Sequence, residues 1–292
     1  MSPGRQLRES IKQRAIAVVG APNALAAKMI EQQGFAAAYL SGAALSAGTL
    51  AVPDIGLFSR DVLVEQTRIL TAAVNIPIIV DADTGFGDEA DVAKTISQLE
   101  GAGAAAVQLE DQTADKRCGH LSGKSLIDAE VMCGKIRAAS DARTDSDFVI
   151  VARTDARGVV SLEEALERSQ QYIEAGADWI FVEALTSRDE FETVGRALDV
   201  PLVANMTEFG KSPLLTVDEL SDLGYGAVLF PVTLLRMAAA AMQAALEEIT
   251  RHGTQAAIVD QMQTRQQLYD VIGYEDFDPA DREHFEGKTK GA

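Results

Sequence analysis

Two cysteines and three histidines in 292 residues are low counts, and each narrows the reading. A pair of cysteines, Cys118 and Cys133, cannot build a disulfide framework in a chain of this size, and such sparse usage fits a reducing compartment, with the cytoplasm expected. Three scattered histidines are too few for a zinc cage. Cations are scarce as well: 26 Lys and Arg stand against 44 Asp and Glu, a formal net charge of -18. That balance argues against nucleic acid and against an anionic membrane surface, which both select clustered cations. No run approaches the ~20 apolar residues of a membrane-spanning helix, and the opening MSPGRQLRESIKQR has no apolar core of a secretory signal.

What the chain has is hydrophobic content, 47%, and a repeated unit. Four segments share one plan, a helical pattern closing on Gly and then a short apolar strand: QQGFAAAYLSG, GAGAAAVQLED, EAGADWIFVEA and DLGYGAVLFP. Glycine just past a helix takes the left-handed conformation without a Cβ clash, so it is the expected stop signal. Four further strands interleave: AIAVVG near 15–20, IPIIVDAD at 76–83, DFVIVARTD at 147–155 and VPLVANMTE at 200–208. Continuous apolar strands separated by amphipathic helices imply parallel strands covered by helices, and about eight such units fit a closed (β/α)8 TIM barrel, with a doubly wound sheet as the alternative. SLEEALERSQQYIEAG opens on Ser161 with Glu164 three residues on, the pattern of a capping box. No internal linker interrupts the chain, so residues 1–292 read as a single barrel domain, with 250–292 as a C-terminal helical extension against the barrel or a neighbouring subunit.

A barrel should carry its functional residues at the C-terminal ends of its strands. Read to their ends, the strands give Ser41 and Gly42, Asp81 and Asp83, Glu110 and Asp111, Arg153 and Asp155, Glu183, and Asn205 with Glu208. Asp81 and Asp83 alternate on a strand and so share a face, where two carboxylates repel unless a cation or proton lies between them. Oxygen ligands suit Mg2+, with Mn2+ as the alternative, although two aspartates before a helix also serve as caps. In EDQTADKRCGHLSGK, Lys116, Cys118 and His120 also alternate, so an extended backbone would point all three one way. Neighbouring cations favour a thiolate, which makes Cys118 a candidate acid, base or nucleophile, whereas Cys133 sits in a helical pattern and reads as core. Arg153 and Arg236 are candidate partners for a carboxylate, of the substrate or of a structural acid.

The succession YLSG, DADTGFG, LEDQ, KRCGH, ARTDA, FVEA, NMTEFG, FPVTLLR and MQTRQQLY resembles the isocitrate lyase/phosphoenolpyruvate mutase superfamily over nearly the whole chain. The resemblance implies a barrel whose last helix is swapped between subunits of a homotetramer, a dimer of dimers. It also implies a Mg2+-dependent lyase that cleaves 2-methylisocitrate to pyruvate and succinate in propionate catabolism. Isocitrate, 2,3-dimethylmalate and oxaloacetate are alternative substrates, and a non-catalytic carboxylate-binding barrel is the alternative of another class. By the same resemblance Asp81 and Asp83 hold the metal, Asp54 and Glu110 support them, and Lys116, Cys118 and His120 are catalytic. Ser41, Gly42, Ala43, Cys118, Gly119, Arg153, Glu183, Asn205, Met206, Thr207, Arg236 and Arg265 contact the substrate. Phe181 and Leu229 match positions that accommodate a methyl group.

Overall fold

The computed structural model describes residues 1–117, 119–120 and 123–274. Eight strands form a closed parallel barrel in chain order: β1 (Ile16–Gly20), β2 (Ala37–Leu40), β3 (Ile78–Asp81), β4 (Ala106–Glu110), β5 (Val149–Thr154), β6 (Trp179–Val182), β7 (Leu202–Asn205) and β8 (Tyr225–Phe230). β8 closes the ring on β1, with Val18 opposite Leu229. The expected (β/α)8 architecture is therefore the observed one. The four repeat glycines, Gly34, Gly103, Gly176 and Gly224, have φ of 82°, 91°, 110° and 92°, the left-handed region their position required.

Helix α1 (Pro3–Ser10) precedes the barrel, and α2 (Ala24–Gln32), α3 (Arg60–Ala73), α4 (Glu89–Gly101), α5 (Ala129–Ala142), α6 (Leu162–Glu174), α7 (Arg188–Ala197) and α8 (Val217–Asp222) follow the strands. Their starts are set by side-chain caps: Asp88 accepts from the amides of Ala90 and Asp91, and Thr216 and Glu219 form a complete capping box. Ser161 caps α6 through the amide of Glu164, but the Glu164 carboxylate turns to Arg168 at 2.7 Å. The reciprocal half of the expected box is thus given up for an ion pair one turn along.

Alternation divides each strand between two cores. One set of side chains, including Val80, Val107, Ile150, Ile180 and Val228, faces the helices, where Val92, Ile96 and Leu99 of α4 are fully buried. Each such side chain removed from water contributes ~1.5–3 kcal/mol. The other set, Val18, Ala37, Ile79, Ala106, Val149, Val151, Trp179, Val203 and Ala227, fills the barrel, and Leu7 of α1 packs into this inner cluster. The interior is a solid core.

This compact unit runs from Met1 to Leu235, and a second one begins at Arg236. The second contains most of α9 (Thr233–His252) and all of α10 (Arg265–Ile272). α9 buries none of its residues, and Met237, Met242, Leu246 and Ile249 are exposed along it. Among the described residues no helix is long and apolar enough to cross a membrane.

Candidate active site

Towards the C-terminal ends of the strands, the inward-facing positions change from apolar to polar. Tyr39 (β2), Asp81 (β3), Gln108 and Glu110 (β4), Arg153 (β5), Glu183 after β6 and Asn205 (β7) continue the same period-two series that is Val, Ala, Ile, Trp and Phe below them. All but Asn205 are buried. The Tyr39 hydroxyl donates to Gln108 Oε1 at 2.8 Å, and Gln108 Nε2 donates to Asp81 Oδ1 at 3.1 Å. Asp81 also accepts the backbone N–H of Gly42 and of Asp83, each at 3.2 Å. Ser41 is buried and accepts from the Ala44 amide, which opens a short helical turn holding Gly42 and Ala43.

Asp83 follows β3 with φ of 49°, a left-handed conformation that aspartate tolerates. Its Oδ1 receives Lys116 Nζ at 2.5 Å, and the same nitrogen reaches Asp54 Oδ1 at 2.6 Å. Burial and the adjacent charge of Asp81 raise the Asp83 pKa to about 7, against the pull of Lys116. Burial alone would lower the Lys116 pKa, but Asp83, Glu110, Asp81 and Asp54 outweigh it and hold it above the ordinary lysine value. Burial raises the Glu110 pKa well above that of a normal glutamate, with Arg153 opposing, and among the described residues its Oε1 has no hydrogen-bond partner.

Arg153 is enclosed by acids. It grips Asp155 through Nε at 2.9 Å and Nη2 at 3.1 Å, meets Glu183 at 3.3 Å and Glu110 at 3.5 Å, and lies 5.2 Å over the Phe181 ring. Glu183 in turn is held below the ordinary glutamate pKa: burial would raise it, but Arg153 and His120 prevail. His120 Nε2 lies 3.1 Å from Glu183 Oε1, while its Nδ1 accepts the Lys211 backbone N–H at 2.9 Å. With Nδ1 serving as the acceptor, Nε2 is the ring nitrogen turned to Glu183. Asn205 Oδ1 accepts the Thr207 amide, which aims its Nδ2 at Glu183.

The expected common direction of Lys116, Cys118 and His120 does not hold for the two described members. Residues 119–120 form a turn, so Lys116 runs to Asp83 and Asp54, whereas His120 runs to Glu183 and Lys211. Cys118 lies outside the described residues. Ser41, Gly42, Asp54, Asp81, Asp83, Glu110, Lys116, Gly119, His120, Arg153, Glu183 and Asn205 are joined by the contacts of one barrel end, and Met206 and Thr207 follow Asn205. Arg236 and Arg265 belong to the second unit, where both are exposed. Tyr39 and Gln108 went unread in the sequence, although each stands two residues before a polar strand end on the same face. Lys124, whose Nζ meets Asp155 at 2.5 Å, had no local signal.

The donor set suits a hard divalent cation. Six buried carboxylates, of Asp81, Asp83, Glu110, Asp111, Asp155 and Glu183, face four ion-paired cations, Lys116, Lys124, Arg153 and Arg168. Among the described residues no three His, Cys, Asp or Glu side chains converge as a metal cage. Mg2+ needs none, since it binds through one or two carboxylates and keeps water for the rest. Asp81 and Asp83, with the Gly42 backbone close against both, fit that mode.

The chain is similar to known proteins over nearly its whole length. The family model described as phosphoenolpyruvate phosphomutase matches residues 7–250. A 2-methylisocitrate lyase of Aeropyrum pernix is 52% identical over 96% of this chain and 91% of that protein. One of Salmonella typhimurium is 42% identical over 95% of each chain. Among solved structures, 2,3-dimethylmalate lyase superposes with a TM-score of 0.91 at 33% identity, covering 97% of this chain and 96% of its own. Phosphonopyruvate hydrolase in complex with oxalate and Mg2+ gives 0.88 at 32%, covering 98% of this chain and all of its own.

Proposed function

The chain belongs to the phosphoenolpyruvate phosphomutase family, within the isocitrate lyase/phosphoenolpyruvate mutase superfamily, and from that premise we propose that it is a carbon–carbon lyase cleaving 2-methylisocitrate to pyruvate and succinate. The observation that carries the reading is the buried Asp81–Asp83 pair beside Lys116, at the open end of a barrel whose lyase relative shares half its residues. The same reading assigns Mg2+ to Asp81 and Asp83. Asp81 and Asp83 would hold the ion, which would supply Lewis-acid polarisation of the substrate hydroxyl.

The chain's own groups supply the rest. Tyr39 and Gln108 hold Asp81 in one orientation from below. Lys116 joins Asp83 to Asp54 and presents positive charge to an anionic substrate. Ser41, Gly42 and Ala43 form the end that receives the α-keto acid fragment. A carboxylate beside the ion site or a bound water takes the hydroxyl proton, and rupture of the carbon–carbon bond leaves the electron pair on the succinate fragment, delocalised into its carboxylate. Cys118 as a thiol returns a proton to that carbon. Arg153, locked by Asp155, stabilises the extra negative charge, and His120 with Asn205 positions Glu183. Phe181 and Leu229, both buried in the barrel, accommodate the methyl group.

The reading extends to assembly. The apolar face of α9 is that of a helix that packs against a second copy, in a homotetramer with the last barrel helix exchanged between subunits. The test of function is an assay of the purified protein with Mg2+ and 2-methylisocitrate, isocitrate, 2,3-dimethylmalate and oxaloacetate in parallel. Pyruvate release from 2-methylisocitrate, abolished by chelator, is the expected result. Turnover of 2,3-dimethylmalate alone would move the chain to the lyase whose structure it matches, and turnover of none would overturn the lyase reading.

A further inference from the structure

Lys124 is buried, with its side chain 1% exposed, and its ammonium makes two contacts. Nζ donates to Asp155 Oδ1 at 2.5 Å and to the backbone carbonyl of Gly119 at 2.5 Å. Gly158 leaves the space for it, since a Cβ there would come within 3.2 Å of Nζ. Asp155 is fixed from behind. Its amide donates to Asp111 Oδ1 at 2.9 Å, and Asp111 is secured by the hydroxyls of Thr154 at 2.7 Å and Tyr172 at 2.8 Å and by Arg168 at 3.4 Å. In front, Asp155 holds Arg153 through two hydrogen bonds. Lys124 therefore fastens the turn at Gly119 to the carboxylate that grips Arg153 through two hydrogen bonds.

The turn sits directly on the site. A Cβ at Gly119 would come within 2.3 Å of Arg153 Nη2 and 2.6 Å of Glu183 Cγ, so the Gly119 backbone lies against both side chains. A lysine serving only the stability of a surface loop has no need to enter the barrel wall and pair with a carboxylate already engaged by an arginine. The charge matters too. Arg153 faces three acids, and a second cation on Asp155 leaves more of the guanidinium charge for the negative charge that develops as the carbon–carbon bond breaks.

We propose that Lys124 is a positioning residue of the lyase reaction, which acts through Asp155 and the Gly119 carbonyl to place the turn over Arg153 and Glu183. The proposal rests on the lyase reading given above.

The test compares Lys124→Met, Lys124→Ala and the doubly neutral Lys124→Met/Asp155→Asn with wild type on 2-methylisocitrate and Mg2+, with a thermal melt of each. A displaced turn acts on the step after binding, so Lys124→Met should lose about a hundredfold in kcat with KM little changed. n-Propylammonium should restore part of the kcat of Lys124→Ala, where tetramethylammonium at equal ionic strength should not. Should Lys124→Met fail to fold, the double variant, which leaves no unpaired buried charge, should fold and show the same loss. Wild-type kcat in either folded variant overturns the proposal, as does a loss of activity that alkylammonium leaves untouched. A wild-type protein inactive on every substrate overturns the lyase reading instead, so the two failures are distinct.

Discussion

The ammonium nitrogen of Lys116 lies 2.5 Å from Oδ1 of Asp83, a contact between two side chains that are almost fully buried. A divalent ion held by Asp83 has to share that carboxylate with Lys116. Replacing Asp83 with Ala should lower Mn2+ affinity, measured by electron paramagnetic resonance, by at least about 100-fold, more than loss of a merely supporting ligand costs. Replacing Lys116 with Met should leave Mn2+ affinity equal or higher, because the acids stay and the competing cation goes, while turnover falls. Unaltered Mn2+ binding in Asp83→Ala would remove the carboxylate pair from the metal.

Cys118→Ser separates binding from proton delivery. A serine hydroxyl is a far weaker acid than a thiol, so a step that needs protonation of carbon should slow by about 10²–10⁴-fold. Binding of Mg2+ and of pyruvate should persist, and calorimetry checks both. Near-normal turnover would take the thiol out of the chemistry.

The barrel was legible in the sequence because two periods are printed in it. Glycines mark the ends of four of the helices, and four-to-six-residue apolar strands recur along the chain, so eight units could be counted without a structure. The site was half legible for the same reason: Asp81, Glu110, Arg153, Glu183 and Asn205 stand at strand ends, where alternation says which way they point. What stayed hidden depends on contacts far apart in sequence. Nothing near Lys124 announces Asp155, 31 residues on, and nothing in KRCGH announces the turn at 119–120 that sends Lys116 and His120 to different partners. Arg153 read equally well as a ligand for substrate or for a structural acid, and three carboxylates now surround it.

Glu183 gives a pH signature. Its pKa is lower in the folded protein than in the unfolded chain, because Arg153 and His120 overcome its burial. The ionised form thus contributes stability above the unfolded-state value near 4.5, and that contribution is lost as the pH falls through the folded value. Glu183→Gln should be less stable at pH 7 by about 3–5 kcal/mol, since Arg153 loses a buried counter-charge. Its melting temperature should also fall less steeply than wild type below pH 4.5. Parallel melting curves across that range would show that Glu183 carries no depressed pKa.

Leu229, on β8 opposite Asn205, is buried in the barrel interior. If its side chain accommodates the methyl group, Leu229→Ala should lower the ratio of kcat/KM for 2-methylisocitrate over isocitrate by about 10-fold or more, the scale of one methylene in an apolar pocket. A general loss of folding would lower both substrates together. The ratio, read beside a thermal melt, therefore distinguishes specificity from damage.

Met242, Leu246 and Ile249 recur at intervals of four and three residues, so they share one face of α9, and all three are exposed. Exposed apolar side chains repeated along one face cost solubility unless another surface covers them, and a chain with a net charge of -18 needs a specific, apolar contact to overcome repulsion between copies. Leu246→Glu should therefore shift the mass found by light scattering from tetramer towards smaller species, and the shift should grow at low salt, where the added repulsion is least screened. Wild-type protein found as a monomer, or an unchanged mass for Leu246→Glu, would remove this face from the assembly.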